Sequence, residues 1–525
     1  VKTEVLNTKS RKDRYCKQRL TFTQLPGQFI IGNTGIRVPD GWKTEKIGGW
    51  HLGRHSTLPR IWLLGDDSAI VGWLLGYPID GNGSLLSDGD ERHIPGLSNG
   101  KESRGEDFIY GFGGRFLAAL VGVGHPRIYL DPGGSLAAVY CPHQGVIAST
   151  LNLIPYDDQT RHRIDLAREL GIPDTNAMYP LELTPRHNVV RLLPNHYLDL
   201  SNWQSIRHWP KKPMHHEGSV EEAIATVAEI TKRNIAAVVS KTPTYLRLTS
   251  GQDSRMMLAC AKDMADRLEL FTVPIPDDSA AIDVDIARKI ARRFRLRHFV
   301  PEFQEPKPED LSEFMARIAY CTGELRGWRA STMFKQANPA YAQLDGGVGD
   351  LVRISEELRP GEKISSKITA ERLLSSCLAP CSGLTRSVYN RWLETIPAVN
   401  AFQVLDLYYI EQRVGCWGGN LHYAESPDPG FVIYPMCHRK IIEKMATLPV
   451  EYRLSGALMR DVINREWPDL LAWPFNRPDG WKKVVLAASR TRNSLEFQSS
   501  RVGRALQNPG RAFTRVAESI HLTVF

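Results

Sequence analysis

The run from Tyr245 to Arg255, YLRLTSGQDSR, constrains the fold more than any other stretch. Tyr245 to Leu248 is a short apolar strand, Thr249 to Gly251 are small turn residues, and a helical pattern begins at Ser254. The pattern continues with a helix over 254–268, a strand over 270–274, a helix over 279–294 and a strand over 297–301. Strands alternating with helices at this spacing predict a parallel, doubly wound sheet. Upstream, Ser219 and Glu222 predict a capped helix start, followed by apolar residues at 220, 224, 227 and 230. Downstream, helical periodicity returns at 401–414 and 438–447.

A strand that ends in small residues and opens a helix suits an anion. The helix start offers free N–H groups and a positive dipole end. Ligands in open α/β sheets bind at the carboxyl ends of strands. Thr249, Ser250 and Ser254 add hydroxyl donors, whereas Asp253 would repel a bare phosphate. An acid there makes sense as a ligand of Mg²⁺ bridging phosphates. A later turn, Leu344 to Asp350 (LDGGVGD), supplies a second acid, Asp350, for the same ion. Taken alone, the 249–254 loop is equally a plain βα connection with a polar cap.

The first half reads differently. Gly-rich turns separate short apolar runs, and strands are predicted near 115–122, 127–131, 136–141 and 145–149. The turns HP, DPGG and PHQG between them predict an antiparallel meander. Two more strands are expected in 188–200. The polar segment 203–218 reads as a linker, and the adjacent His215 and His216 belong to it rather than to a metal site.

TSGQDS resembles the SGGxDS loop of the N-type ATP pyrophosphatases. DGGVGD resembles the SGxGxD segment of asparagine synthetases, β-lactam synthetases and lasso-peptide cyclases. RFLAALVGVGHPRIYLDPGG and the segment after it resemble the N-terminal glutaminase-like domain of that family. The likeness spans about 107–480. It implies an antiparallel Ntn-hydrolase-like domain over 1–210, an adenine-nucleotide α-hydrolase-like domain with a helical C-terminal part over 218–485, and a basic tail over 486–525. By resemblance Leu248, Thr249, Ser250, Gly251, Ser254, Val273, Gly346 and Gly347 would lie against ATP and its pyrophosphate. Asp253 and Asp350 would hold Mg²⁺. Tyr409, Glu411 and Arg413, on a helix at 405–415, would face the substrate. The implied reaction is adenylation of a carboxylate, with release of pyrophosphate, then amide formation with loss of AMP. The carboxylate belongs to a small molecule or peptide, and the amine could be on the same molecule, as in a cyclase.

The chain departs from the pattern at several places. It begins with Val1 where the family's glutaminase cysteine is usual, and its first cysteine is Cys16. The expectation is a scaffold without glutaminase activity. Gly347 stands where asparagine synthetases carry Glu and β-lactam synthetases Tyr; Leu351 follows Asp350. GALMR keeps Arg460 but has Gly456 where a Lys is usual, leaving Lys482 and Lys483 as displaced partners for pyrophosphate. Trp328 and Trp417 read as core or as pocket walls.

Composition narrows the rest. No apolar run of 18 residues predicts a membrane span. No apolar secretory core follows the basic start, so a cytoplasmic setting is expected. The eight cysteines include no CxxC pair, and Cys377 with Cys381 has no second ligand pair beside it. A net charge of +8 fits an anionic ligand. Six arginines between Arg490 and Arg515 raise an RNA-acting PP-loop enzyme as one alternative, although nucleic acid is not the expected partner. A catalytically impaired nucleotide-binding scaffold is the other. A homo-oligomer or a pathway protein partner is compatible with the sequence.

Overall fold

The computed structural model describes residues 25–33, 35–97, 103–175, 177–275, 278–351, 362–377, 379–397, 400–425 and 428–477. Among these residues the fold is mixed α/β, with antiparallel and parallel sheets and about 14 helices. No helix among the described residues is long and apolar enough to cross a membrane.

Strands β1 (Phe29–Gly32), β2 (Lys43–Ile47), β3 (Trp50–Arg54), β4 (Arg60–Leu64), β5 (Ile70–Ile79) and β6 (Glu91–His93) fill the Gly-rich start. They are followed by β7 (Gly113–Leu120), β8 (Arg127–Leu130), β9 (Val139–Cys141), β10 (Val146–Ala148), β11 (Val190–Arg191), β12 (His196–Asp199) and β13 (Gln204–Arg207). These build two sheets, ordered β11-β9-β10-β1-β3-β2 and β13-β12-β8-β7-β5-β4-β6. The expected meander is therefore corrected. β7 and β8 pair in one sheet, β9 and β10 in the other, and the DPGG turn carries the chain between them. Asp131 fixes that crossing: its buried carboxylate accepts from the backbone N–H groups of Gly133, Ser135, Leu136 and Phe116 and from the Ser135 hydroxyl. The predicted linker also starts later than 203, because Gln204–Arg207 is an edge strand paired with β12.

After the linker, the Ser219 hydroxyl accepts from the Glu222 N–H at 3.1 Å and opens the Val220–Lys241 helix. Its apolar stripe, including Ala223, Val227 and Val238, is buried. A parallel sheet follows, from β14 (Thr244–Arg247), β15 (Leu268–Phe271), β16 (His298–Phe299), β17 (Ala342–Leu344) and β18 (Val432–Ile433). Its order is β16-β15-β14-β17-β18. Leu246, Leu270 and Leu344 have no exposed surface, as strands covered on both faces require. The predicted helix over 254–268 is split: an α-helix spans Gln252–Cys260 and 3₁₀ turns span Lys262–Arg267. The helix Ala401–Tyr408 continues as a ten-residue π-helix, Tyr409–Gly418.

That π-helical run and the turn after it pack against the first half at glycine contacts. A Cβ on Gly419 would lie 2.2 Å from the Gly134 carbonyl oxygen, and one on Gly415 would lie 2.6 Å from Pro194 Cδ. Only hydrogen at those Cα atoms permits so close an approach.

Candidate functional site

The strand order reverses between β14 and β17, so the connections leaving those two strands diverge and open a crevice at their carboxyl ends. Both sequence motifs are there. Thr249–Ser254 follows β14, and the glycine turn follows β17.

The loop is organised by its own hydroxyls. The Thr249 N–H donates to Ser254 Oγ at 3.0 Å, the two side-chain oxygens are 2.9 Å apart, and the Gly251 N–H donates to Thr249 Oγ1 at 3.1 Å. Leu248 is fully buried; its N–H donates to the Phe271 carbonyl, and its carbonyl accepts from the Thr272 hydroxyl. The Ser250 N–H and hydroxyl both donate to one carboxylate oxygen of Asp283, at 2.8 and 2.6 Å. Asp283 comes from the Asp278–Phe294 helix and takes the loop's donors much as an anionic ligand would. Buried Arg255 ties the loop to the end of the described chain, donating to the carbonyls of Ser250, Trp473 and Pro474. The Asn476 N–H donates to the same Ser250 carbonyl.

The glycine turn closes over Asp253. A Cβ on Gly346 would lie 2.8 Å from Asp253 Cβ, and one on Gly349 would lie 3.0 Å from Asp253 Oδ1. The Gly349 N–H donates to the Gly346 carbonyl, which tightens the turn that leads into half-buried Asp350. The two motif acids are thus brought onto adjoining backbone. Two carboxylates beside hydroxyl and N–H donors fit a magnesium ion shared with phosphates, because Mg²⁺ usually takes only one or two protein carboxylates. Among the described residues there is no cluster of three His, Cys, Asp or Glu side chains that would hold a metal by itself.

The far flank is aromatic. A Cβ on Gly347 would overlap the Tyr434 ring, 2.3 Å from its Cζ. Tyr409 donates its hydroxyl to the Gly347 carbonyl at 2.6 Å. His422 packs on Tyr434 with ring centroids 4.5 Å apart, and its Nδ1 is 3.2 Å from the Ser135 carbonyl oxygen. Burial pushes His422 down to about 3, so the imidazole is neutral and Nδ1 carries the donated proton. Arg247 and Asp345, at the ends of adjacent strands, pair at 2.6 Å. Burial alone would raise the Asp345 carboxyl, but the Arg247 guanidinium outweighs it and holds it below its ordinary range. Burial raises neighbouring Glu425, with Asp345 adding and Arg326 opposing. Arg326 lies 4.3 Å over the Trp417 ring, and Arg413 lies 5.8 Å from it.

The structure therefore gathers Leu248, Thr249, Ser250, Gly251, Asp253, Ser254, Gly346, Gly347, Asp350 and Tyr409 at one crevice. Val273 follows β15, and its side chain packs with Tyr245 and Phe271. Trp417 belongs to the aromatic flank, while Trp328 stacks on Phe303. Glu411 is corrected: it does not face a substrate. It is fully buried and accepts from Asn195, from both terminal nitrogens of Arg207 and from the Trp392 indole. Lys482, Lys483, Cys16 and the arginine-rich tail lie outside the described residues. Asp283, Asp345, Tyr434 and His422 are the residues that reading the sequence missed. The local signal was that Arg247 ends its strand just before one motif and Asp345 opens the other.

No protein-family model matches the chain, and no curated protein is significantly similar to it.

Proposed function

We propose that the chain is an ATP-dependent, amide-forming synthetase. It would adenylate a substrate carboxylate and pass the acyl group to an amine. The observation that carries this reading is the closure of Gly346 and Gly349 over Asp253 at the point where the strand order reverses. That closure places a hydroxyl-rich loop and two acids around one crevice, as ATP cleavage between its α and β phosphates would need. On this reading the first half is a glutaminase-like domain, and the second is a nucleotide α-hydrolase-like domain.

In the proposed reaction Thr249, Gly251 and Ser254 orient the polyphosphate by N–H and O–H donation. Asp253 and Asp350 would hold Mg²⁺, which neutralises phosphate charge when bound. The substrate carboxylate oxygen bonds to the α-phosphorus, and the bond to the departing pyrophosphate breaks. The amine nitrogen then bonds to the acyl carbon, AMP leaves with the electron pair, and the amine's proton passes to solvent. Positioning and electrostatics supply most of the rate for such steps. The aromatic flank, with Tyr409, Tyr434 and Trp417, would shape the acyl and amine pockets.

The test is carboxylate-dependent exchange of labelled pyrophosphate into ATP, run over small acids, amino acids and peptides. AMP and pyrophosphate are the expected products; ADP and phosphate would overturn the reading. A nucleotide-binding scaffold is the second reading. It is favoured by Asp283 on the Ser250 donors and by the Tyr434 ring over Gly347. Mg-ATP binding with no exchange across the acid panel would decide for it.

A further inference from the structure

The Asp278–Phe294 helix offers the crevice one acid, Asp283, but it presents its cations elsewhere. Arg288, Arg292 and Arg295 follow at i, i+4 and i+7 and are exposed along one side. They line two adjoining cavities of about 740 and 580 Å³ that share Arg288, Arg292 and Val300. Together the cavities form one trench that runs from the carboxyl end of β15 along the edge strand β16. Its floor is aliphatic, with Ile275, Val284 and Val300. Among the described residues none of the three arginines is in an ion pair, whereas Lys289 on the same wall is held by Asp285 at 3.0 Å. Glu302 is the remaining acid of the lining. Arg295 keeps a left-handed backbone, φ 57°, at the helix end where glycine is usual.

We propose that this trench docks an acidic, aliphatic segment of polypeptide. Charge complementarity supplies the rim contacts, and the floor supplies the burial. From Arg288 to Arg295 the helix rises roughly 10 Å. That is the span of about three residues of extended chain, so carboxylates three residues apart would meet both ends. A nucleic acid fits less well. No Phe, Tyr or Trp lines either cavity for bases to stack on. No residue of the nucleotide loop lines the trench, so the inference stands or falls independently of the proposed reaction.

The test uses the full chain and a fluorescein-labelled nonapeptide with Glu at every third position and Val or Leu between, read by fluorescence anisotropy. The same peptide with Gln for Glu is the control, and a single-stranded oligoribonucleotide of equal charge is the competitor. Arg288→Glu/Arg292→Glu should weaken the acidic peptide at least tenfold and flatten its salt dependence. Arg288→Gln/Arg292→Gln should weaken it less, and far-ultraviolet circular dichroism should be unchanged in both. Equal binding of the Gln peptide, no binding of either peptide, or equal affinity in the double variants would overturn the proposal. So would an oligoribonucleotide that binds the wild type more tightly than the peptide and is lost in the variants.

Discussion

The two flanks of the crevice are built in different ways. The loop at 249–254 is held by hydroxyls and backbone N–H groups, and its Ser250 donors rest on a carboxylate from a neighbouring helix. The turn at 345–350 is held by bulk: glycines against a tyrosine ring, and Tyr409 on a helix anchored in the first half by Glu411. Hydrogen bonds of the first kind can be exchanged for those of a ligand at little net cost. Close packing of the second kind resists any change of shape. On the proposed reading, the adaptable flank would capture phosphate and the rigid one would select the substrate.

The largest expected effect lies on the rigid flank. Glu411→Ala leaves Arg207 buried without its partner, and loss of one member of such a pair costs about 3–5 kcal/mol. Thermal unfolding should show a large loss of stability; a near-neutral result would break the claim that Glu411 anchors the turn. Next is Asp253→Ala on the adaptable flank. Pyrophosphate exchange should fall at least ~100-fold, about 2.7 kcal/mol of barrier, with the fold intact by circular dichroism. Unchanged exchange would remove Asp253 from the metal role. Gly347→Ala comes third. Its Cβ overlaps Tyr434, and overpacking of this kind costs about 1–3 kcal/mol. The double variant Gly347→Ala/Tyr434→Ala should recover part of that loss, measured by denaturant titration.

Asp283→Asn sharpens the comparison from the other side. It removes a negative charge from the loop's donors while keeping an acceptor. Mg-ATP should bind about fivefold more tightly, on the order of 1 kcal/mol, by calorimetry. Weaker binding would mean that Asp283 assists the nucleotide rather than competing with it. The smallest effect is on pH dependence. Burial, with Arg233 and Lys440 adding, pushes His438 down to about 4. The unfolded chain therefore binds the extra proton first, and stability falls as pH drops from about 6.5 towards 4. His438 Nδ1 also accepts from the Lys440 N–H at the start of the Arg439–Thr447 helix. His438→Asn keeps such a cap and should make the melting temperature less steeply dependent on pH in that window.

Local order made the loop and the turn legible. Strand, small residues and acid lie consecutively, so TSGQDS and DGGVGD could be found without any knowledge of pairing. What crosses the chain could not. Asp283 reaches Ser250 over 33 residues, and Arg247 reaches Asp345 over 98. The DPGG turn misled because a tight turn looks the same whether it joins paired strands or two sheets. QSIR at 204–207 is a half-exposed edge strand, too polar to read as one. Glu411 was misplaced because the resemblance placed its helix but not its partners: Asn195 and Arg207, which help to bury it, lie 216 and 204 residues away.

The crossing at Asp131 has a consequence for the order of folding. β1 must wait for β10, more than a hundred residues further along, and β8 must wait for β12. Neither sheet of the first half can therefore be completed as a local unit while the chain is being made. One remains open until Arg191 and the other until Arg207 has been synthesised, and Arg207 then stays without its carboxylate until Glu411 follows. The first half is thus stabilised by the last third of the chain, and a fragment truncated before the π-helix would carry an unpaired arginine at its exposed seam.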